Sequence, residues 1–207
     1  MDDHHTFTAG YLSDLLGSRL CHDLVNPLGA IGNGVELLEM TGGGAGPELA
    51  LIKDAVRDAQ ARIRFFRVAV GAAGPDQRLR AREVRETLAA LYAQGRLSVT
   101  WTPDDDCARA DVKLAFLMLM CAETALPMGG EVTIARDARG LWVLTAMAGR
   151  ITIDTDIWPL LHFGGGPAAR PLRPSEVQFT LLPAEAANQG RRINYVADDG
   201  RLQISTD

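Results

Sequence analysis

The sequence predicts an α+β chain: an N-terminal antiparallel helical hairpin, paired with a second copy as a dimeric four-helix bundle, followed by an α/β sandwich. Three observations carry this. Leu12, Leu16, Leu20, Leu24, Leu28, Ile31, Val35 and Leu38 recur in steps of three and four, as on one face of a helix. Leu49, Ile52, Val56, Ala59, Ile63, Phe66 and Val70 repeat that spacing beyond a glycine-rich break, the pattern of a bundle seam. From residue 75 onward the pattern switches to short alternating runs separated by turn signals.

The first helix runs from about Phe7 to Met40 and ends in Thr41 to Gly46. Pro47 opens the second, which runs to about Ala73, since proline suits a first helical position. A two-helix hairpin cannot cover its own apolar faces, and a second copy supplies the cover; the competing arrangement is cover by the rest of the same chain. Gly71 to Pro75 reads as a linker, dividing the chain into 1–74 and 75–207. Beyond it come a helix over Ala81 to Gln94, a strand over Leu97 to Thr102 and a nearly all-apolar, hence buried, helix over Asp111 to Leu126. Strands over Glu131 to Arg136 and Leu141 to Ala146 follow, then a helix over Ser175 to Gln189 despite Pro183. A hairpin of Ile193 to Ala197 and Leu202 to Ser205 closes the chain across Asp198-Asp199-Gly200. That order predicts helices packed on a mostly antiparallel sheet.

Composition narrows the function. Of 207 residues 47% are apolar and 23% charged, which excludes wholesale disorder. A net charge of −5 disfavours nucleic acid as a partner. No apolar run reaches a bilayer-spanning length and the first residues are polar, so neither membrane nor secretion is expected. Cys21, Cys107 and Cys121 are scattered, which suits a reduced cytoplasmic setting. No metal site is expected: Cys21, His22 and Asp23 are consecutive, point apart on a helix and have no second ligand pair. His4, His5 and His162 carry no readable role.

The chemistry concentrates in Ser18 to Gly29 (Ser-Arg-Leu-Cys-His-Asp-Leu-Val-Asn-Pro-Leu-Gly). At about 100° per residue, with Leu20 at zero, His22 falls at about 200°, Asn26 at about 240° and Gly29 at about 180°, opposite the apolar stripe. An exposed, neutral imidazole at pH 7 can attack phosphorus and carry a phosphoryl group covalently. Asp23 can hold the other ring nitrogen if rotamers bring the two together. Asn26, uncharged, can approach a phosphate oxygen without repelling it. Pro27 is costly inside a helix and suits a kink after the reactive residue. Counting roughly 21 residues to either side of the loop centre places Arg64 and Arg67 at the level of His22, where they can face a phosphoryl group or an acidic partner. Phe65 and Phe66 read as packing.

A lone exposed histidine is ordinarily a solvent-facing residue without a task, but His22-Asp-Leu-Val-Asn-Pro-Leu28 resembles the H-box of sensor histidine kinases. The order of later elements resembles the GHKL/Bergerat-type ATPase fold, with polar handles missing. Cys121-Ala122-Glu123 stands where that fold offers a Mg²⁺-binding Asn, and Ala146 to Ile151 lacks the Asp that recognises adenine. Only Phe163-Gly-Gly-Gly-Pro167 remains of a glycine-rich box, and a plain loop explains it as well.

Ser18 to Leu38 and Arg62 to Gly71 together resemble the ChpT-type histidine phosphotransferases. That resemblance implies a homodimer with degenerate ATPase-like domains outside a central bundle. It implies that His22, with Asp23 and Asn26, accepts a phosphoryl group from a receiver-domain aspartate of a hybrid histidine kinase and passes it to response regulators. Receivers would dock beside His22 over Arg19, Asn26, Gly29 and Asn33, with Arg64 and Arg67 nearby. No cofactor is expected on this chain, the Mg²⁺ coming from the receiver. Two other readings stay open: an active ATP-dependent histidine kinase with a divergent pocket, and a non-catalytic dimeric binding module.

Overall fold

The structure, a computed structural model, describes residues 9–41, 46–162 and 168–207. The turn at 42–45, the triple glycine within 163–167, and His4 and His5 lie outside the described residues.

The stalk is two helices, α1 (Ala9–Thr41) and α2 (Pro47–Ala69). Helix α1 continues through Pro27, whose ring is buried. Helix α2 ends four residues earlier than the periodicity predicts, where the Arg109 guanidinium occupies its end, bonding the Arg67 carbonyl and, at 3.1 Å, the Ala72 carbonyl. A cation on the last carbonyls of a helix satisfies acceptors that the helix leaves open.

The rest comprises β1 (Arg78–Leu79), α3 (Ala81–Tyr92), β2 (Leu97–Trp101), β3 (Cys107–Ala108), α4 (Arg109–Ala125), β4 (Gly130–Arg136), β5 (Trp142–Met147), α5 (Gln178–Asn188), β6 (Ile193–Asp198) and β7 (Arg201–Thr206). The main sheet has the order β2-β4-β5-β7-β6; β2 and β4 are parallel and every other pair is antiparallel. The parallel pair encloses α4 as its crossover helix. Gly129 (φ +86°) turns the chain from α4 into β4 so tightly that a Cβ would meet the Arg96 carbonyl, so glycine is required there.

Alternate residues of the sheet (Val132, Ile134, Trp142, Leu144, Leu202, Ile204) are buried on one face. The other wall of this core is α4, buried at almost every position from Val112 to Ala125, together with Phe179 and Leu182 of α5. Trp158, in a 3-10 turn at Trp158–Leu161, fills the space between α5 and β6, edge-on to Phe179 and Tyr195. His162 stacks on the same Tyr195 at 4.9 Å, a packing role that the sequence did not disclose.

Stalk and sandwich meet through α2. Phe65 and Phe66 are buried, and the Phe65 ring stacks on Phe116 of α4 with centroids 4.5 Å apart. The sandwich therefore covers the base of the hairpin. Farther along, Val25, Leu28, Val35, Leu51, Val56 and Ile63 remain exposed within one chain. Because Phe116 joins both parts of the core, Phe116→Ala should cost about 3–5 kcal/mol by chemical denaturation, the usual range for emptying a buried aromatic site.

Candidate functional site

His22 stands a little past the middle of α1, counted from the loop end toward its start, its side chain 79% exposed. Its Nδ1 lies 3.0 Å from Oδ1 of Asp23, so the neighbouring side chains do reach one another. Asp23 is only 12% exposed. Its other oxygen, Oδ2, accepts from Nε of Arg19 at 2.7 Å, one helical turn back. Nη1 of Arg19 donates in turn to the backbone carbonyl of Ser175 at 3.0 Å, 156 residues away. Nε2 of His22 has no hydrogen-bond partner among the described residues. With Nδ1 facing a carboxylate, the favoured neutral tautomer carries its proton on Nδ1 and leaves the Nε2 lone pair outward.

Asn26, Gly29 and Asn33 are exposed farther along the same helix, and nothing lies within 4 Å of a Cβ built on Gly29. Arg64 and Arg67 are exposed on α2. Arg67 borders an apolar groove with Leu20 and Leu24, which agrees with the predicted level. Among the described residues, no hydrogen bond or ion pair joins Arg64 or Arg67 to His22, Asp23 or Asn26. The α2 arginine that shares a cleft with Arg19 and Asp23 is Arg62, held by Asp58 at 3.1 Å.

That cleft, about 250 Å³, separates the stalk from the sandwich, and Tyr92 and Glu123 close its far side. The Tyr92 hydroxyl donates to Oε1 of Glu123 at 2.8 Å. The Glu123 carboxyl is thus tied to its own chain. Burial pushes the Glu123 carboxyl above its ordinary range, against the opposing pull of the Tyr92 hydroxyl and the Arg19 and Arg62 guanidinia. It also pushes the Tyr92 hydroxyl well up. Folded Glu123 therefore holds a proton more readily than the unfolded chain does. Stability falls as pH rises from the ordinary carboxylate value through the raised one. Glu123→Gln keeps an acceptor for Tyr92 and removes the titration. It should melt at a higher temperature than the parent at about pH 8 and show no such gain at about pH 4, below the ordinary carboxylate pKa.

Against this geometry, the comparisons with known proteins agree. Residues 81–201 match the model of the histidine phosphotransferase C-terminal domain. The chain belongs to that family. The phosphotransferase is 35% identical over 205 residues to the protein phosphotransferase ChpT of Brucella abortus (strain 2308), covering 94% of this chain and 95% of that one. It also superposes on a 1.7 Å structure of a bacterial phosphotransferase with a TM-score of 0.81 and 29% identity, covering 99% of both chains. No helix among the described residues of the phosphotransferase is long and apolar enough to cross a membrane.

Three contributors were not found from sequence. Arg62 opens the second stretch that carries the resemblance but was given no role there, and Tyr92 carries no local motif. Ser175 contributes a backbone carbonyl, which no side-chain pattern announces; the only trace is Arg173-Pro174-Ser175-Glu176, where a Glu three residues after a turn start marks a capping geometry.

Proposed function

We propose that this protein is a phosphorelay intermediate in which His22 takes a phosphoryl group from the aspartyl-phosphate of one receiver domain and delivers it to the aspartate of another. The observation that carries this reading is the pairing of an exposed imidazole with a largely covered carboxylate at Nδ1. In the forward step the Nε2 lone pair attacks phosphorus. The N–P bond forms as the P–O bond to the receiver aspartate breaks, and that aspartate leaves as a carboxylate. Asp23 accepts from Nδ1–H throughout, fixing the ring and balancing the positive charge that phosphorylation puts on it. The second transfer is the same displacement reversed onto another aspartate. Little chemistry is left for the protein beyond positioning and charge balance.

Several features support a receiver rather than ATP as the donor. Cys121 to Glu123, where the resemblance leads one to expect an Asn, has none, Glu123 is engaged by Tyr92, and Ala146 to Ile151 contributes no carboxylate for adenine. Mg²⁺ belongs to the receiver in this scheme. The sandwich at 75–207 acts as a degenerate ATPase-like domain beside the phosphotransfer hairpin at 1–74. The partners are receiver domains of a hybrid histidine kinase and of response regulators, together with a second copy of this chain, which covers the open stripe of α1 and α2 as a four-helix bundle.

The receiver is placed over Asn26, Gly29 and Asn33, above His22, with Arg64 and Arg67 at its margin. Gly29→Trp fits the open space around that position, so the fold survives. We expect transfer from a receiver to slow by about tenfold or more through lost close approach. Unchanged transfer would move the docking surface elsewhere. The overall reading is tested by a phosphotransfer profile: labelled phosphoryl groups presented on a panel of receivers should appear on this chain and then on a second receiver. No uptake from any receiver would contradict it.

A further inference from the structure

The contact that reaches farthest into the site comes from the segment 170–176. Arg170 stands among three carboxylates: Glu176 gripped by both terminal nitrogens at 2.8 and 2.9 Å, Asp154 at 2.8 Å and Asp156 at 3.7 Å. Glu176 is buried, and its Oε2 also accepts the Arg173 backbone N–H at 2.8 Å, closing a 3-10 turn over Pro174–Glu176. The segment is fastened to α1 at two levels. The Leu172 N–H donates to the Tyr11 hydroxyl at 3.1 Å, and that hydroxyl lies 3.3 Å from the Leu172 carbonyl. Two turns along, the Ser175 carbonyl accepts from Arg19. A guanidinium is a rigid planar fork. Holding its Nη1 on Ser175 fixes where its Nε points, and Nε is the group that grips Oδ2 of Asp23. With Oδ2 held, Oδ1 is the oxygen left for Nδ1 of His22.

We infer that the Arg170–Glu176 knot is a positioning device for His22, acting through Ser175, Arg19 and Asp23. Neither Arg170 nor Arg19 touches the reacting phosphorus; they set the carboxylate that sets the ring. Arg19, which the sequence suggested for receiver docking, faces inward for this task. The inference rests on His22 being the acceptor, and the readout below is chosen to separate the two claims.

The test compares Arg19→Gln, Arg170→Gln and the double variant in the full-length protein. It measures transfer from a phosphorylated receiver, the receiver concentration at half-maximal rate, and the nitrogen NMR signals of the His22 ring without any receiver. In the parent, the neutral ring carries its proton mainly on Nδ1. Each single variant should shift that proton toward Nε2, slow the saturated transfer about tenfold, and leave the half-saturating concentration within about twofold, as expected for a lost orientation rather than a lost docking contact. Because Arg170 acts through Arg19, the double variant should be no slower than Arg19→Gln alone, the non-additivity of a shared path. Arg19→Lys, which keeps the charge without the fork, should stay slow.

A double variant showing the product of the two losses, or an Arg170→Gln ring with the parent proton distribution, would overturn the inference. If Arg170→Gln does not fold, Arg19→Gln decides: its side chain is no part of the hydrophobic core, and an unchanged ring in that variant overturns the inference equally. Phosphoryl transfer that survives loss of His22 would instead strike the acceptor reading, leaving the ring measurement intact.

Discussion

His22→Asn should take up no phosphoryl group from a receiver that loads the parent. The substitution removes the only atom that can hold phosphorus in this scheme, and the loss should be on the order of 10³-fold or more, as when a covalent nucleophile is deleted. The fold is not the cause, since the side chain is mostly in solvent and surface changes of this kind usually move stability by less than about 0.5 kcal/mol. Asp23→Asn should fall between. It keeps the shape but offers Nδ1 an amide that can no longer hold the productive tautomer by charge, and about 10- to 100-fold is expected because the site is open to water. Following the label on the chain over time, with melting curves as a control, checks both variants.

Val25→Glu combined with Leu28→Glu should leave the protein monomeric, abolishing the proposed dimer. Val25 and Leu28 are 62% and 59% exposed in the single chain, although both belong to a helix whose opposite flank is already packed. Fully covering a large aliphatic side chain is worth about 1.5–3 kcal/mol, and the open stripe also includes Val35, Leu51, Val56 and Ile63. Two carboxylates in that stripe, repeated in the partner, would have to be desolvated without a counterion. The mass in solution should drop from twice 22.3 kDa to 22.3 kDa by light scattering. Backbone amides beyond residue 24 of α1 should lose protection from exchange while α4 and the sheet keep theirs, since their core is closed within one chain. A variant that still scatters as a dimer would place the self-association surface elsewhere.

The stalk was legible because its information is periodic and local. Steps of three and four named α1 and α2, and the candidate residues His22, Asp23 and Asn26 lie within a single helix, so their proximity was readable from local spacing. The sandwich was legible wherever a strand was long enough to alternate, as in β4, β5 and the β6–β7 hairpin. The two-residue strands β1 and β3 and the 3-10 turn at Trp158 are too short for any period to register. The end of α2 was missed because Arg109, forty-two residues beyond Arg67, terminates it. The same physics hid the deeper layer of the site. Arg19 looks like solvated helix charge until Ser175 arrives from 156 residues away, and Glu123 looks like a stray acid until Tyr92 meets it. Arg170 stands in no motif that the sequence offered, and its meaning lies wholly in the carboxylates the fold gathers around it.

The most direct measurement sets the two candidate donors side by side. The purified phosphotransferase is given labelled ATP with Mg²⁺ in one reaction and a labelled phospho-receiver in another, and the label is located by peptide mapping under conditions that preserve phosphohistidine. Label is expected on the peptide containing His22 from the receiver and none from ATP. Label on that peptide from ATP alone, or receiver-derived label on any other residue, would contradict the proposed relay.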